Sequence, residues 1–233
     1  MIKEAILLAG GLGTRLQAVV PELPKPMAPV NGRPFIEYVL DHLIANNVRR
    51  FILSVGYKHQ AFVSHFADDY KNCQILFSVE NEPLGTGGAI KKAMEYAENE
   101  DVLVLNADTF FRVDISSFGS VYNKAFPDIA VALRQMNDVG RYGCVQVNEN
   151  MQITGFAEKN ESSGSGFING GMYIMKKNIF NALQLPDKFS IEKDFLEKYY
   201  NRLIMRAFPS NAFFLDIGIP EDYEKAQHAF KRF

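Results

Sequence analysis

Apolar positions along the chain alternate between two rhythms. Ile6, Leu7 and Leu8 form a short continuous run that suits a buried strand. Residues 34–46 (PFIEYVLDHLIAN) put Phe35, Tyr38, Val39, His42 and Leu43 on one helical face, with proline in the first turn where it is tolerated. Residues 50–55 read as a strand, 58–66 as a helix and 74–79 as a strand; 86–98 then read as a helix. Residues 101–106 (DVLVLN) form the most continuous apolar strand, typical of a sheet covered on both faces, and 115–124 are helical again. Strands and helices in this alternation predict a parallel, doubly wound α/β core.

The pattern changes in the second half. Residues 128–134, 143–147, 152–156 and 170–175 are strand-like runs divided by short polar turns, with Asn148-Glu149-Asn150 the clearest hairpin, so antiparallel pairing is expected. Helices are expected over 178–183 and 191–200, a strand over 203–208 and an amphipathic closing helix over 220–233, whose Tyr223, Ala226 and Phe230 leave room for a homodimer contact. The tract Ser162-Ser163-Gly164-Ser165-Gly166 is low in complexity and expected to be mobile. With no linker and no internal repeat, residues 1–233 read as one domain.

Chemistry concentrates first in residues 7–30 (LLAGGLGTRLQAVVPELPKPMAPV). Gly10, Gly11 and Gly13 follow the first strand where a helix is expected to begin. Such a junction aims backbone N–H groups at an anion, and a helix N-terminus adds partial positive charge. Arg15 and Lys25 add full charges. The segment is neither the dinucleotide fingerprint, lacking its third glycine, nor a Walker loop, lacking Gly-Lys-Ser/Thr. Asp108 closes the most apolar strand, where ligands of open α/β sheets collect. Asp216 follows another apolar run and precedes the closing helix by several residues, too early to be its cap. Two carboxylates from distant strands that meet bound phosphate imply a hard divalent cation, and Mg²⁺ takes one or two carboxylates plus phosphate oxygens. Gly85-Thr86-Gly87-Gly88 is a second glycine cluster opening a helix, readable as close backbone approach to a ligand or as a plain helix start capped by Thr86.

Gly10 to Leu16 (GGLGTRL) and Pro24 to Met27 (PKPM) resemble, nearly letter for letter, the signature of the nucleotide-sugar pyrophosphorylases, the sugar-1-phosphate nucleotidyltransferases. The chain departs from that signature at Gln17-Ala18-Val19. The resemblance runs from the first loop to Asp216. It implies a Rossmann-like three-layer nucleotide-diphospho-sugar transferase fold: a central mixed, mostly parallel sheet flanked by helices, with a small antiparallel part in the second half. It also implies a nucleotide-binding part over about 1–110 and a sugar-phosphate-binding part over about 111–233.

Carried over residue by residue, the resemblance makes Arg15, Lys25 and Asp108 catalytic and Asp108 and Asp216 ligands of Mg²⁺. Leu8, Ala9, Gly10, Gly11, Gly13, Thr14, Arg15, Lys25, Glu80, Gly85, Thr86, Gly88 and Asp108 then bind the nucleotide. Gly143, Glu158, Lys159, Asn169 and Gly170 bind the sugar phosphate, with Lys159 on the phosphate and Glu158 on sugar hydroxyls. Glu80 falls where the family reads the base. A carboxylate only accepts, and guanine alone presents N1–H and the N2 amine side by side, so GTP is the expected nucleotide, with Glu82 the rival reader. Within the family, the short chain and its Gly-Thr-Gly-Gly-Ala loop look most like the bacterial D-glycero-α-D-manno-heptose 1-phosphate guanylyltransferases, then the mannose-1-phosphate enzymes. Thymidylyl, uridylyl or cytidylyl transfer is the alternative within the class, and a catalytically silent sugar-nucleotide-binding regulator the alternative outside it. A glycosyltransferase would leave Arg15 unexplained and the absence of an Asp-x-Asp motif unaccounted for.

Composition narrows the rest. With 25 Lys+Arg against 27 Asp+Glu the net charge is −2, so there is no basic footprint for nucleic acid and phosphate binding has to be local. The five apolar residues before Gly10 are too few for a signal peptide or a membrane span, which points to the cytoplasm. Cys73 and Cys144 stand far apart without metal-spaced partners and read as buried thiols. The four histidines, His42, His59, His65 and His228, form no metal or acid–base set.

Overall fold

The computed structural model describes residues 2–11, 13–16, 18–67, 69–139, 143–157 and 164–232. The first half follows the predicted alternation: β1 (Glu4–Leu8), the short pair β2 (Pro29–Val30) and β3 (Arg33–Pro34), α1 (Phe35–Ala45), β4 (Arg50–Val55), α2 (Gln60–Phe66), β5 (Asp69–Tyr70), β6 (Cys73–Val79), α3 (Gly85–Ala93) and β7 (Asp101–Asn106). The second half adds β8 (Thr109–Phe111), α4 (Ile115–Ala125), β9 (Ile129–Met136), β10 (Cys144–Val147), β11 (Ile153–Ala157), β12 (Gly166–Lys176), α5 (Glu197–Tyr199), β13 (Met205–Ser210), β14 (Phe214–Asp216) and α6 (Pro220–Ala229).

A 10-stranded sheet carries both halves. Its parallel centre runs β7-β1-β4-β6, and β12 joins it antiparallel to β7. Beyond β12 the sheet branches to β9 and β13 on one side and to β10 and β11 on the other. Alternate residues of the central strands face opposite layers. Ala5, Leu7, Phe51, Leu53, Leu103 and Leu105 pack towards α1, α4 and α6, whereas Ile6, Ile52, Val102 and Val104 pack towards α3 and the 189–196 segment. Covering both faces explains the unbroken apolar run at 102–105, each side chain contributing about 1.5–3 kcal/mol on burial.

Several expectations change in the structure. Among the described residues 10–24 no helix follows the glycine loop; turns such as Leu16 N to Gly13 O (2.9 Å) take its place. Residues 178–183 form successive turns rather than a helix, with Asn181 N donating to Asn178 O at 3.0 Å and Leu183 N to Phe180 O at 3.1 Å. Two asparagines offering local side-chain bonds compete there with helical pairing. The helix expected over 86–98 ends at Ala93 and tightens into a 3-10 turn, Met94–Tyr96. Residues 191–200 begin as a π-helical turn, Ile191–Leu196, before α5. The expected 203–208 strand lies two residues later, as β13.

The Asn148 hairpin forms, with Asn148 Oδ1 accepting from Asn150 N and Gln152 N, both at 3.0 Å. Residues 162 and 163 of the low-complexity tract lie outside the described residues, and Gly166 opens β12. Tyr223, Ala226 and Phe230 do not offer a dimer contact: they are buried in the chain's own core, with the Phe230 ring against Phe35 and Tyr38. Cys73 is buried and Cys144 half-buried, both free. No helix among the described residues is long and apolar enough to cross a membrane.

Two glycines of the second cluster, Gly87 and Gly88, are spent inside the protein. Gly87 N and Gly88 N donate to Phe189 O at 2.9 and 3.3 Å, and Phe189 N donates to Leu84 O at 3.0 Å. The 187–189 segment thereby caps α3, and a Cβ on Gly88 would lie 2.2 Å from Asp187 O. Gly88→Ala is therefore expected to lose about 1–3 kcal/mol of stability in a denaturant titration. Gly11→Ala, with nothing within 4 Å of the added Cβ, should stay within about 0.5 kcal/mol of the parent. Equal unfolding midpoints for Gly88→Ala and the parent would contradict this packing.

Candidate active site

The carboxyl ends of β1, β4, β6 and β7 open onto a cavity of about 800 Å³. Leu8, Ala9, Gly10, Gly11, Gly13, Thr14, Arg15 and Lys25, all expected from the first loop, line it. The loop is anchored at both ends: Ala9 N donates to Ser54 O at 2.8 Å, and Leu16 is buried at 2% exposure. Lys58 Nζ donates to Pro21 O at 2.7 Å and ties the loop's far side to the end of β4. Because no helix starts here, anion binding would rest on loop N–H groups and the two cations, without a helix dipole.

Glu80 lies against the loop. Its Oε1 accepts from Ser54 Oγ at 3.3 Å and its Oε2 from Leu84 N at 3.1 Å, so the carboxylate is fixed from two sides. A Cβ on Gly10 would sit 2.6 Å from Glu80 Oε1, so this position must lack a side chain for the carboxylate to reach the cavity. Glu82 also lines the cavity, but it is exposed. Tyr57 and His59 lie on the same wall, although neither the exposed tyrosine nor the histidine carries a motif that marks it in sequence.

Opposite, one ammonium is shared by two carboxylates. Lys25 follows Pro24 in a 3-10 turn and sends Nζ to Asp108 Oδ2 at 2.6 Å and to Asp216 Oδ1 at 3.4 Å. The pairing of β14 with β8 sets Asp216 opposite Thr109, and Ile217 N donates to Asp108 O at 3.1 Å. Burial, and then the Asp108 charge, raise the Asp216 pKa above the usual carboxylate range; Lys25 and the Gly218 N–H oppose the rise. Two oxygen donors whose negative charges repel each other fit a hard divalent cation, with phosphate oxygens completing the shell. No group of three or more His, Cys, Asp or Glu that could hold a metal occurs among the described residues, so these alone would supply only part of a shell.

A second cavity of about 400 Å³ adjoins the first, and Asn106 lines both. Gly143 and Asn169 stand on its wall as expected. Asn169 is aimed by a register break in β12: it pairs with Leu133 and Tyr173 with Val131, so four residues of β12 span two of β9. Gly171 makes that break with φ +67° and donates its N–H to Asn169 Oδ1 at 3.0 Å, while Asn169 Nδ2 donates to Tyr173 Oη at 2.7 Å. Burial pushes the Tyr173 hydroxyl pKa far up, keeping it neutral.

Other expected positions fall differently. Gly170 is buried under Phe111, 2.6 Å from where its Cβ would be, and Gly171 takes the wall position instead. Gly88 packs under Asp187 and is not on the cavity wall. Gly85 and Thr86 line the larger cavity, but the Thr86 hydroxyl is committed to Glu192 and Ile191. Glu158 and Lys159 lie outside the described residues. Ser190, Glu192, Lys193 and Glu197 complete the smaller cavity and were not expected, since nothing in their spacing separates them from a solvated helix face. Among the remaining histidines, His42 binds Val113 O at 2.9 Å and is depressed in pKa by burial, and His65 pairs with Glu37.

Known proteins are similar to this chain over nearly its whole length. A D-glycero-alpha-D-manno-heptose 1-phosphate guanylyltransferase of Aneurinibacillus thermoaerophilus is 44% identical over 230 residues, 99% of either chain. One of the same description from Campylobacter jejuni is 44% identical over 220 residues, 94% of this chain and 96% of that one. HddC from Yersinia pseudotuberculosis, solved in complex with GMP-PN, superposes with a TM-score of 0.88 at 39% identity, covering 99% of this chain and 100% of the other. The Nucleotidyl transferase family model matches residues 4–232, and the chain, with its first loop, shared ammonium and paired aspartates, belongs to the nucleotidyl transferase family.

Proposed function

We propose that the protein transfers GMP from GTP to D-glycero-α-D-manno-heptose 1-phosphate, giving the GDP-sugar and pyrophosphate. The observation that carries the base assignment is Glu80, an acceptor-only group held beside the glycine loop by Ser54 and Leu84. A carboxylate has about four lone-pair sites, so two occupied sites leave two for guanine N1–H and N2–H. Thymine and uracil would turn carbonyl oxygens towards it. The heptose assignment is supported by the two relatives at 44% identity, and by the acceptors Asn169, Glu192 and Glu197 around the smaller cavity, which suit a polyhydroxylated substrate.

No general base is required. A phosphate monoester with a second pKa of about 6 arrives mostly as the dianion. One of its oxygens attacks the GTP α-phosphorus, a new P–O bond forms, and the bond to the α–β bridging oxygen breaks with its electrons leaving on pyrophosphate. The barrier is repulsion between polyanions, so the chain's task is alignment and neutralisation. Lys25 would steady the α-phosphate and Arg15 the departing pyrophosphate, with Lys159 on the sugar phosphate. Asp108 and Asp216 would hold a divalent cation, Mg²⁺ in our reading, which supplies further neutralisation of phosphate charge when bound. We place the reaction in the cytoplasm, supplying activated heptose to cell-surface glycan synthesis such as capsule or lipopolysaccharide.

Two measurements test the assignment. Pyrophosphate release from the four nucleoside triphosphates with the heptose 1-phosphate should favour GTP, and Glu80→Gln should reduce that preference by about 10- to 100-fold, the worth of a hydrogen bond to a charged group. Equal release from all four by the wild type would remove the guanine argument. Lys25→Ala should lower kcat by about 10²- to 10³-fold while circular dichroism stays native; turnover close to normal would exclude Lys25 from the reaction.

A further inference from the structure

The two cavities share a wall, and hydrogen bonds stitch it together. Thr86 lines the larger cavity and Glu192 the smaller. Thr86 Oγ1 donates to Glu192 Oε2 at 2.9 Å and accepts from Ile191 N at 2.9 Å. Ser190 Oγ donates to the same Glu192 oxygen, also at 2.9 Å. A threonine hydroxyl has one proton. Here it goes to Glu192, so it is not available to a nucleotide even though Thr86 faces the nucleotide cavity. The two bonds on Oε2 fix the carboxylate on the wall of the smaller cavity.

The local backbone supports the same arrangement. Ile191–Leu196 is a π-helical turn, in which residues five apart stack on one side. Glu192 and Glu197 are five apart and both line the smaller cavity. An α-helix would swing them to different faces. The turn is anchored just before its start, where Phe189 is hydrogen-bonded to Leu84, Gly87 and Gly88 at the start of α3.

We propose that Thr86 is a positioning residue for the sugar-phosphate half of the site, acting through Glu192. Its hydroxyl holds the Glu192 carboxylate where a sugar hydroxyl meets it. The inference rests on the reading that the smaller cavity receives the sugar 1-phosphate.

Thr86→Val keeps the shape and removes the hydroxyl; Thr86→Ser keeps the hydroxyl and removes the methyl. With D-glycero-α-D-manno-heptose 1-phosphate as the varied substrate, Thr86→Val should raise KM by about tenfold, and Thr86→Ser should keep it within about twofold of wild type. The GTP dissociation constant of Thr86→Val, measured by titration calorimetry, should stay within about twofold, because the lost bond lies on the other side of the wall. Glu192→Ala should raise the sugar KM at least as much, and adding Thr86→Val to it should raise it no further. An unchanged sugar KM in Thr86→Val, a Thr86→Ser variant as impaired as Thr86→Val, or additive effects in the double variant would each overturn the proposal. The wild type separates the two levels of the argument: no GDP-heptose from wild-type enzyme overturns the functional reading and the positioning role together, whereas wild-type turnover with an unaffected Thr86→Val overturns the positioning role alone.

Discussion

Charge balance among Lys25, Asp108 and Asp216 is the constraint around which the candidate site is arranged. The Lys25 ammonium joins residues 83 and 191 positions apart in sequence. Two carboxylates brought this close, one of them raised in pKa by burial and by the other's charge, repel unless a cation stands between them. The fold supplies the closeness by pairing β14 against β8, immediately after the central strand β7. Every catalytic proposal then follows from one question: which cations and anions can enter this cluster without leaving a charge unpaired.

Around that cluster the sheet divides the labour. Its parallel half ends in loops that line one cavity with glycines and the side chains of Arg15 and Lys25, and its antiparallel half uses the register break at Gly171 to place Asn169 on the wall of the other. Asn106, at the end of β7, borders both. With a net charge of −2 on the whole chain, attraction of two polyanionic substrates has to come from Arg15, Lys25 and neighbours placed locally rather than from the surface at large.

What the sequence made legible follows the strength of its physical signal. The runs at 50–55 and 101–106 were read with their boundaries intact, because strands covered on both faces are apolar throughout. The first loop was legible because glycines, an arginine and a lysine at that spacing answer to few other needs. The second glycine cluster was only half legible. A glycine signals that something approaches closely, and at Gly87 and Gly88 Phe189 and Asp187 of the same chain do so. The expected helix after Gly13 and the expected 178–183 helix failed where local side-chain and turn bonds outcompeted helical pairing. Glu192 and Ser190 were illegible because their role depends on a π-helical turn and on Thr86, about a hundred residues away.

The most direct test of the central claim is the product itself. Wild-type protein incubated with GTP, Mg²⁺ and D-glycero-α-D-manno-heptose 1-phosphate can be followed by ³¹P NMR. The account predicts that the GTP and sugar-phosphate resonances fall together while those of inorganic pyrophosphate and a mixed nucleoside-sugar diphosphate rise in equal amounts. GTP consumption that yields GDP and orthophosphate with the sugar phosphate untouched, or no consumption with any sugar 1-phosphate, would contradict it.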